Sequence, residues 1–188
     1  MSADVEKRFI SHREIFAMST ELGLAVAESG FQPELLVAIW RGGATPCTVV
    51  HEVLLRVGQP CKTAVLTAKS YTGIGQRDSE VKTHGLEAVV EQCRGLQRIL
   101  MVDDIVDTGH TLRHVKQALQ QHCPELEVRF AALYQRSRCD VVVDYVNFVD
   151  DKWLVFPHEM EGLSDAELLD HDHLSADQHA RLIALTNG

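Results

Sequence analysis

The amino-acid sequence predicts an α/β fold in which a doubly wound, mostly parallel sheet is flanked by helices. Apolar runs of strand length recur at residues 35–40, 61–66, 98–102 and 128–134, and residues 140–149 hold one more. Segments with helical spacing of apolar residues alternate with these runs, which is the order expected of a parallel sheet with crossover helices. The runs are continuous rather than alternating, as strands buried on both faces require.

Helix signals lie between these strands. Ser11 and Glu14 form a capping box before an amphipathic run that ends at Gly30. Thr45 can cap, and Pro46 can open, a helix reaching to about Leu55. Further helices are predicted at 85–94, after residue 111 as far as 122, and after the capping box at 175–178. Another capping box lies at 164–167.

Composition limits the classes of protein that fit. The 188 residues, 45% hydrophobic and 24% charged, predict one domain over residues 1–188 with a core at about 31–150. No apolar run approaches the roughly 20 residues of a membrane span, and residues 1–8 do not resemble a secretory signal. Five scattered cysteines predict free thiols in a reducing compartment, hence a cytoplasmic protein. The net charge of -9 disfavours nucleic acid as a partner.

The central stretch of the chain carries the chemistry. An apolar run breaks into three carboxylates, Asp103, Asp104 and Asp107, and the residues that follow, 108–111, place two threonines around a glycine at the start of a helix. Free backbone N–H groups at a helix N-terminus suit a phosphate, and adjacent carboxylates suit sugar hydroxyls or Mg²⁺. An ordinary capped loop is the alternative, but capping needs one such residue.

A second polar turn, Arg41-Gly42-Gly43, follows the first apolar run. Its glycines alone would explain a tight turn without any ligand. However, the carboxyl ends of parallel strands meet at one edge of the sheet, where ligands of α/β proteins bind. This favours a functional interpretation, with backbone N–H groups and a cation facing an anionic ligand.

Residues 102–111, Val-Asp-Asp-Ile-Val-Asp-Thr-Gly-His-Thr, resemble the phosphoribosyl-pyrophosphate (PRPP) motif of type I phosphoribosyltransferases. The resemblance extends over about residues 35–159. It implies transfer of the 5-phosphoribosyl group from PRPP to a purine base in purine salvage, giving a nucleoside 5′-monophosphate and pyrophosphate with Mg²⁺ as cofactor. It also implies a homodimer or homotetramer whose partners are these small molecules.

The resemblance assigns roles residue by residue. Asp103 and Asp104 would hold the ribose hydroxyls and Mg²⁺, directly or through water, and Asp107 would be the general acid/base for the purine. The 5′-phosphate would be bound by Thr108, Gly109, His110 and Thr111. The pyrophosphate would be bound by Arg41, Gly42, Gly43 and Lys69.

Two further segments are implicated by the same resemblance. Lys69, Ser70 and Tyr71 resemble the start of the flexible loop that covers the site in the hypoxanthine-guanine branch, so Ser70 and Tyr71 are assigned to a lid. A solvated hairpin is the alternative. Trp153 would lie against the base, and the backbone of Leu154 would recognise the base's edge, although tryptophan in a small domain is more often a core residue.

One position departs from the family pattern. Gln135 stands where enzymes for hypoxanthine, guanine and xanthine have a lysine that binds the exocyclic oxygen of the purine. Gln135 could donate to that oxygen, or Arg136 or Arg138 could replace the lysine. A 6-oxopurine remains the first expectation, with another base or a non-catalytic PRPP- or nucleotide-binding regulator as alternatives. Residues from about 1–30 and 150–188 are expected to form a small hood over the base.

Overall fold

The structure is a computed structural model that describes residues 7–71, 80–170 and 174–186. The chain divides into two compact units, one formed by residues 15–151 and the other by the described parts of residues 1–14 and 152–188. The smaller unit therefore combines segments from both ends of the chain, and residues 15–30 belong to the larger unit. The hood over the base stays a prediction.

The larger unit is built on a six-stranded sheet with strand order β4-β3-β2-β5-β6-β7. All neighbouring strands are parallel except β3 and β4, which are antiparallel. The strands are β2 (Leu35–Trp40), β3 (Lys62–Tyr71), β4 (Glu80–His84), β5 (Arg98–Val106), β6 (Glu127–Gln135) and β7 (Tyr145–Val149). This sheet confirms the mostly parallel α/β fold that the continuous apolar runs predict.

Four helices accompany this sheet: α1 (His12–Glu28), α2 (Ala44–Arg56), α3 (Leu86–Cys93) and α4 (His110–His122). Residues of α3 and α4, among them Val89 and Val115, share one buried cluster with Val37 and Met101 of the sheet. The helix α2 packs against β2 and β5 but contributes no residue to that cluster, and Gly23 of α1 lies against Val53 of α2. Both faces of the sheet are thus covered, which explains the apolar composition of β2, β5 and β6.

The smaller unit contains β1 (Lys7–Phe9), β8 (Trp153–Val155), α5 (Asp165–Asp170) and α6 (Ala176–Thr186). Its two strands form a separate parallel pair in which Arg8 is the partner of Leu154. The capping boxes predicted at Ser164 and Ser175 are present, with the backbone N–H of each serine donating to Glu167 and Gln178 respectively at 2.8 Å. Along the described segments, no helix combines the length and the apolar character needed to cross a bilayer.

Candidate active site

Two strand-to-helix turns meet at the point where the strand order reverses. The strand β2 leads through residues 41–43 into α2, and its neighbour β5 leads through residues 107–109 into α4. The chain leaves β2 for β3 on one side and β5 for β6 on the other, so the carboxyl ends of β2 and β5 adjoin a topological switch point. Such a crevice is where open α/β sheets bind ligands.

The first turn is packed closely against β5. A Cβ on Gly42 would overlap the Asp104 carboxylate, and one on Gly43 would overlap the Val102 carbonyl and lie 3.0 Å from the Asp103 Cα. Glycine is therefore needed at both positions for close approach. The helix α2 begins at Ala44 with Gly43 as its N-cap, so the prediction that Thr45 caps this helix is wrong.

Trp40 and Arg41 precede these glycines and are joined by a cis peptide bond. Arg41 is exposed. Trp40 is 53% exposed and is therefore not a core residue.

The acidic pair lies within β5, which continues to Val106, and not in the turn after the strand as the sequence suggests. The Asp104 N–H donates to Oδ1 of Asp103 at 3.0 Å, and the Ile105 N–H donates to Oδ1 of Asp104 at 2.7 Å. Burial, together with the neighbouring Asp104 carboxylate, raises the pKa of Asp103 well above its usual range. Two acids are thus held side by side where their charges repel.

A divalent cation would relieve this repulsion, and oxygen ligands of this kind suit Mg²⁺. Within residues 7–71, 80–170 and 174–186, no cluster of three or more His, Cys, Asp or Glu side chains could hold a metal ion. Mg²⁺ is commonly bound by one or two carboxylates together with substrate phosphates. Asp103 and Asp104 therefore fit a Mg²⁺ ion that arrives with a phosphorylated substrate.

The second turn opens α4 with an N-terminus suited to an anion. Gly109 is the N-cap residue, and because glycine has no side chain it gives the helix no side-chain cap. Its φ of 82° lies in the left-handed region, which glycine adopts readily. The Arg113 N–H donates to the Gly109 carbonyl at 2.9 Å, and the His110 N–H lies 3.4 Å from the Thr108 hydroxyl oxygen. Thr111 lies in the first helical turn. A helix N-terminus of this kind suits an anion, and the assignment of these residues to the 5′-phosphate stays a prediction.

Asp107, the predicted general acid/base, is exposed beside this turn and forms an ion pair with Arg138. The Arg138 Nε donates to Oδ1 of Asp107 at 2.5 Å, and Nη2 donates to Oδ2 at 2.7 Å. The aspartate holds the pKa of Arg138 above its usual value. The sequence suggested Arg138 only as a substitute for a base-binding lysine, because nothing in a linear pattern pairs residues 31 positions apart.

Gln135 is the last residue of β6, and its register partners are Val106 of β5 and Val149 of β7. Its carbonyl accepts the Asp150 N–H at 3.0 Å. The next residue, Arg136, donates from Nη1 to the Asp150 carbonyl at 2.9 Å. Both arginines proposed as substitutes for the family's lysine therefore already have acceptors, Asp150 for Arg136 and Asp107 for Arg138.

The predicted lid residues belong to a strand. Lys69, Ser70 and Tyr71 end β3 and pair with Lys82, Val81 and Glu80 of β4. The rest of the predicted loop, residues 72–79, lies outside the described residues, as do residues 171–173. The backbone thus places Lys69 on the strand next to β2, and the lid assignment stays a prediction.

The predicted base-binding residues Trp153 and Leu154 lie in the smaller unit. Trp153 is 56% exposed, which contradicts a core role for this tryptophan and leaves its ring accessible to a flat ligand. Leu154 has a buried side chain and pairs through its backbone with Arg8.

Comparisons with known proteins show the family of this chain. A family model for the phosphoribosyl transferase domain matches residues 11–163. Xanthine-guanine phosphoribosyltransferase of Idiomarina loihiensis is 28% identical over 159 residues, which are 80% of this chain and 89% of that protein. The structure of Helicobacter pylori xanthine-guanine-hypoxanthine phosphoribosyltransferase is 25% identical with a TM-score of 0.65, covering 88% of this chain and 99% of that one.

A hypothetical protein of Neisseria gonorrhoeae, solved with bound ppGpp, has a TM-score of 0.67 at 21% identity and covers 98% of this chain and 99% of its own. That likeness establishes a shared fold. The family model, in contrast, spans most of this sequence, including both turns and the acidic pair. The chain therefore belongs to the phosphoribosyl transferase domain family, as the motif at residues 102–111 predicts.

Proposed function

We propose that this protein transfers the 5-phosphoribosyl group from PRPP to a 6-oxopurine, that is hypoxanthine, guanine or xanthine, in purine salvage. One observation carries the proposal: the acidic pair of β5 lies at the topological switch point, between the N-termini of α2 and α4, each of which has a glycine as its N-cap residue. The chain also belongs to this family. The named xanthine-guanine and hypoxanthine-guanine relatives support the choice of purine.

PRPP carries anionic groups at both ends, and the two turns supply separate sites for them. The 5′-phosphate would be bound at residues 108–111, where α4 begins with a glycine. The pyrophosphate would be bound by Arg41, by the backbone of Gly42 and Gly43, and by Lys69 on the neighbouring strand. Binding energy from both ends would orient the sugar carbon that reacts between them.

The acidic pair would hold the ribose. Asp103 and Asp104 would accept hydrogen bonds from the ribose hydroxyls, directly or through water, and their charge would favour the cationic sugar carbon. When bound, Mg²⁺ would neutralise charge on the pyrophosphate as it leaves. Members of this family generally use Mg²⁺ with PRPP, and two adjacent carboxylates fit that use.

Asp107 would exchange a proton with the purine. As the bond between the sugar carbon and the purine nitrogen forms, the bond to pyrophosphate breaks, and the proton on the purine ring passes to the Asp107 carboxylate. Trp153 would stack on the purine, and Leu154 and Gln135 would recognise its edge. Ser70 and Tyr71 would cover the site and keep water from the reacting carbon.

Pyrophosphate release from PRPP with Mg²⁺ tests this proposal, with hypoxanthine, guanine, xanthine, adenine and uracil assayed in parallel. Turnover with an oxopurine is expected. Turnover with adenine or uracil alone would replace the base assignment, and Gln135→Lys would then test whether this residue sets base choice. Light scattering on the same preparation would test the proposed homodimer or homotetramer, and cell fractionation the proposed cytoplasmic location.

A non-catalytic PRPP- or nucleotide-binding regulator is the second candidate. It is favoured by the glutamine at position 135, where the oxopurine enzymes of this family have a lysine. The ppGpp bound to the Neisseria gonorrhoeae protein makes ppGpp a suitable probe. Tight binding of PRPP or ppGpp without turnover of any base would support the regulator, and turnover would exclude it.

A further inference from the structure

The link between β6 and β7 lies against the turn that opens α4. We call residues 136–141 the β6–β7 turn. The Arg136 N–H donates to the Val106 carbonyl at 2.9 Å, and the Asp140 N–H makes a long 3.4 Å contact with the Thr108 carbonyl. The Val141 side chain fills the space beside Gly109 that a Cβ would need. The β6–β7 turn therefore borders the predicted phosphate site.

Its most specific contact with that site is the ion pair between Arg138 and Asp107. Two parallel hydrogen bonds, of 2.5 and 2.7 Å, join the planar guanidinium to both carboxylate oxygens. A two-point contact of this kind fixes the rotation of the carboxylate as well as its position, which a single point charge does not.

The backbone around Arg138 is itself restrained. The Ser137 N–H donates to Oδ1 of Asp151 at 2.9 Å, and the Cys139 N–H donates to the Arg136 carbonyl at 3.0 Å. A second ion pair joins Asp140 of this turn to Arg113 of α4. Arg138 thus projects from a turn that is anchored on both sides, which restricts the positions its side chain can reach.

The stability of the fold does not explain this arrangement. The side chains of Arg138 and Asp107 are 65% and 53% exposed, and ion pairs this exposed contribute little to stability because water and salt screen them. A catalytic carboxylate, however, loses much of its effect when its orientation is loose. An exposed, two-point ion pair on an anchored turn is therefore better explained by orientation of Asp107 than by stability.

We infer that Arg138 is a positioning residue, which orients the Asp107 carboxylate for proton exchange with the purine. This inference rests on the proposed phosphoribosyl transfer to a purine. Arg138 acts through Asp107, so its effect on turnover must depend on a carboxylate at position 107. That dependence separates positioning from a direct contact of Arg138 with the base.

A double-mutant cycle tests the inference, with Arg138→Gln, Asp107→Asn and their combination compared with the wild type. We expect Arg138→Gln to lower kcat about tenfold while KM for PRPP changes less than about twofold. In the Asp107→Asn background the same change should lower kcat by less than about twofold. Arg138→Lys should recover only part of the loss, because an ammonium cannot make both contacts.

Arg94→Gln is the matched control. Arg94 forms an exposed ion pair with Glu91 at 2.9 Å outside the site, and its loss should change kcat by less than about twofold. The inference is overturned if Arg138→Gln leaves kcat unchanged, or if it lowers kcat equally in the wild-type and Asp107→Asn backgrounds.

The same four proteins are titrated with inosine monophosphate by calorimetry. If the wild type turns over no base, the proposed catalytic function fails, and the binding cycle then decides the inference separately. If the loss of nucleotide affinity in the double variant differs from the sum of the two single losses, the inference that Arg138 orients Asp107 is supported. Additive losses, or no loss in Arg138→Gln, would overturn it.

Discussion

The turns after β2 and β5 occupy equivalent places in the fold but depend on glycine for different reasons. Each opens a helix with a glycine N-cap, Gly43 for α2 and Gly109 for α4. Gly43 has ordinary helical angles, φ -67° and ψ -10°, and is required because β5 lies so close. Gly109 is required chiefly because its φ is 82°. Steric space thus limits the first turn, and backbone conformation limits the second.

The difference also gives the two turns different supports. The first turn rests on β5, through Val102 and Asp104. The second rests on the β6–β7 turn, through Val141, Arg138 and Asp140. The second turn also continues directly from β5. A change in β5 should therefore disturb both turns, whereas a change in the β6–β7 turn should disturb only the second. The following predictions test this order of dependence.

Gly43→Ala should have the largest effect. The new Cβ would overlap the Val102 carbonyl and lie 2.7 Å from the Ile39 carbonyl, and backbone atoms of a central strand cannot move aside cheaply. We expect the free energy of unfolding, measured by urea denaturation, to fall by about 3 kcal/mol. Gly95→Ala is the control: φ is 79° there, and among the described residues no atom outside the two chain neighbours would lie within 4 Å of the new Cβ, so the loss should be about 1 kcal/mol. Equal losses would contradict the steric argument.

Asp107→Asn should affect chemistry without affecting the fold or the phosphate sites. Asparagine keeps the shape of the side chain but cannot accept the proton from the purine, so kcat should fall by about a hundredfold or more. Because PRPP contacts other residues of the two turns, its affinity should change little. Steady-state kinetics and calorimetry with PRPP measure the two quantities. Parallel loss of both would mean that Asp107 supports the PRPP site itself.

Gly109→Ala should lower stability less than Gly43→Ala does, because the new Cβ meets a side chain that can move rather than backbone atoms. The left-handed backbone costs an alanine about 1–2 kcal/mol, and its Cβ would also overlap the Val141 side chain. Adding Val141→Ala to Gly109→Ala should recover the stability lost through the overlap with Val141. The stability lost through the left-handed backbone should remain lost. If the double variant is no more stable than Gly109→Ala, the contact with Val141 does not limit this turn.

The sequence predicts the central part of this comparison well. Strands β2, β5 and β6 are continuous apolar runs, because burial on both faces leaves few polar positions. The acidic pair and Gly109 are recognisable because their chemistry is local, within ten residues of chain. Gly42 and Gly43 are also visible, although the physical reason for them, contact with β5, is not.

Features set by distant parts of the chain are not predictable in this way. The strands β1 and β8 have three residues each and form only because Lys7–Phe9 pairs with Trp153–Val155. The strand β3 continues beyond residue 66 to Tyr71 because it pairs with β4. The ion pair of Arg138 with Asp107 likewise requires that β5 and β6 be neighbours with known register. Sequence patterns report local preference, whereas these contacts depend on topology.

The smallest predicted effect concerns Cys47 in the first turn of α2. A helix N-terminus normally lowers the pKa of a thiol, but here burial dominates and raises the pKa of Cys47 to about 12. The unfolded chain, with a thiol pKa of 9.0, therefore loses this proton first as the pH rises. Stability should decline from about pH 9 upward, and less steeply in Cys47→Ala, as urea denaturation at about pH 8 and about pH 10 would measure.

Alkylation of the folded protein provides a second measurement of the same thiol. Cys47 should react with iodoacetamide far more slowly near neutral pH than it does in the urea-unfolded chain, because the thiolate is the reactive form and the side chain is buried. Mass spectrometry of the peptide containing Cys47 would follow the reaction. Rapid alkylation would mean that the start of α2 opens to solvent, and the close packing of the first turn against β5 would then not limit substitution at Gly43.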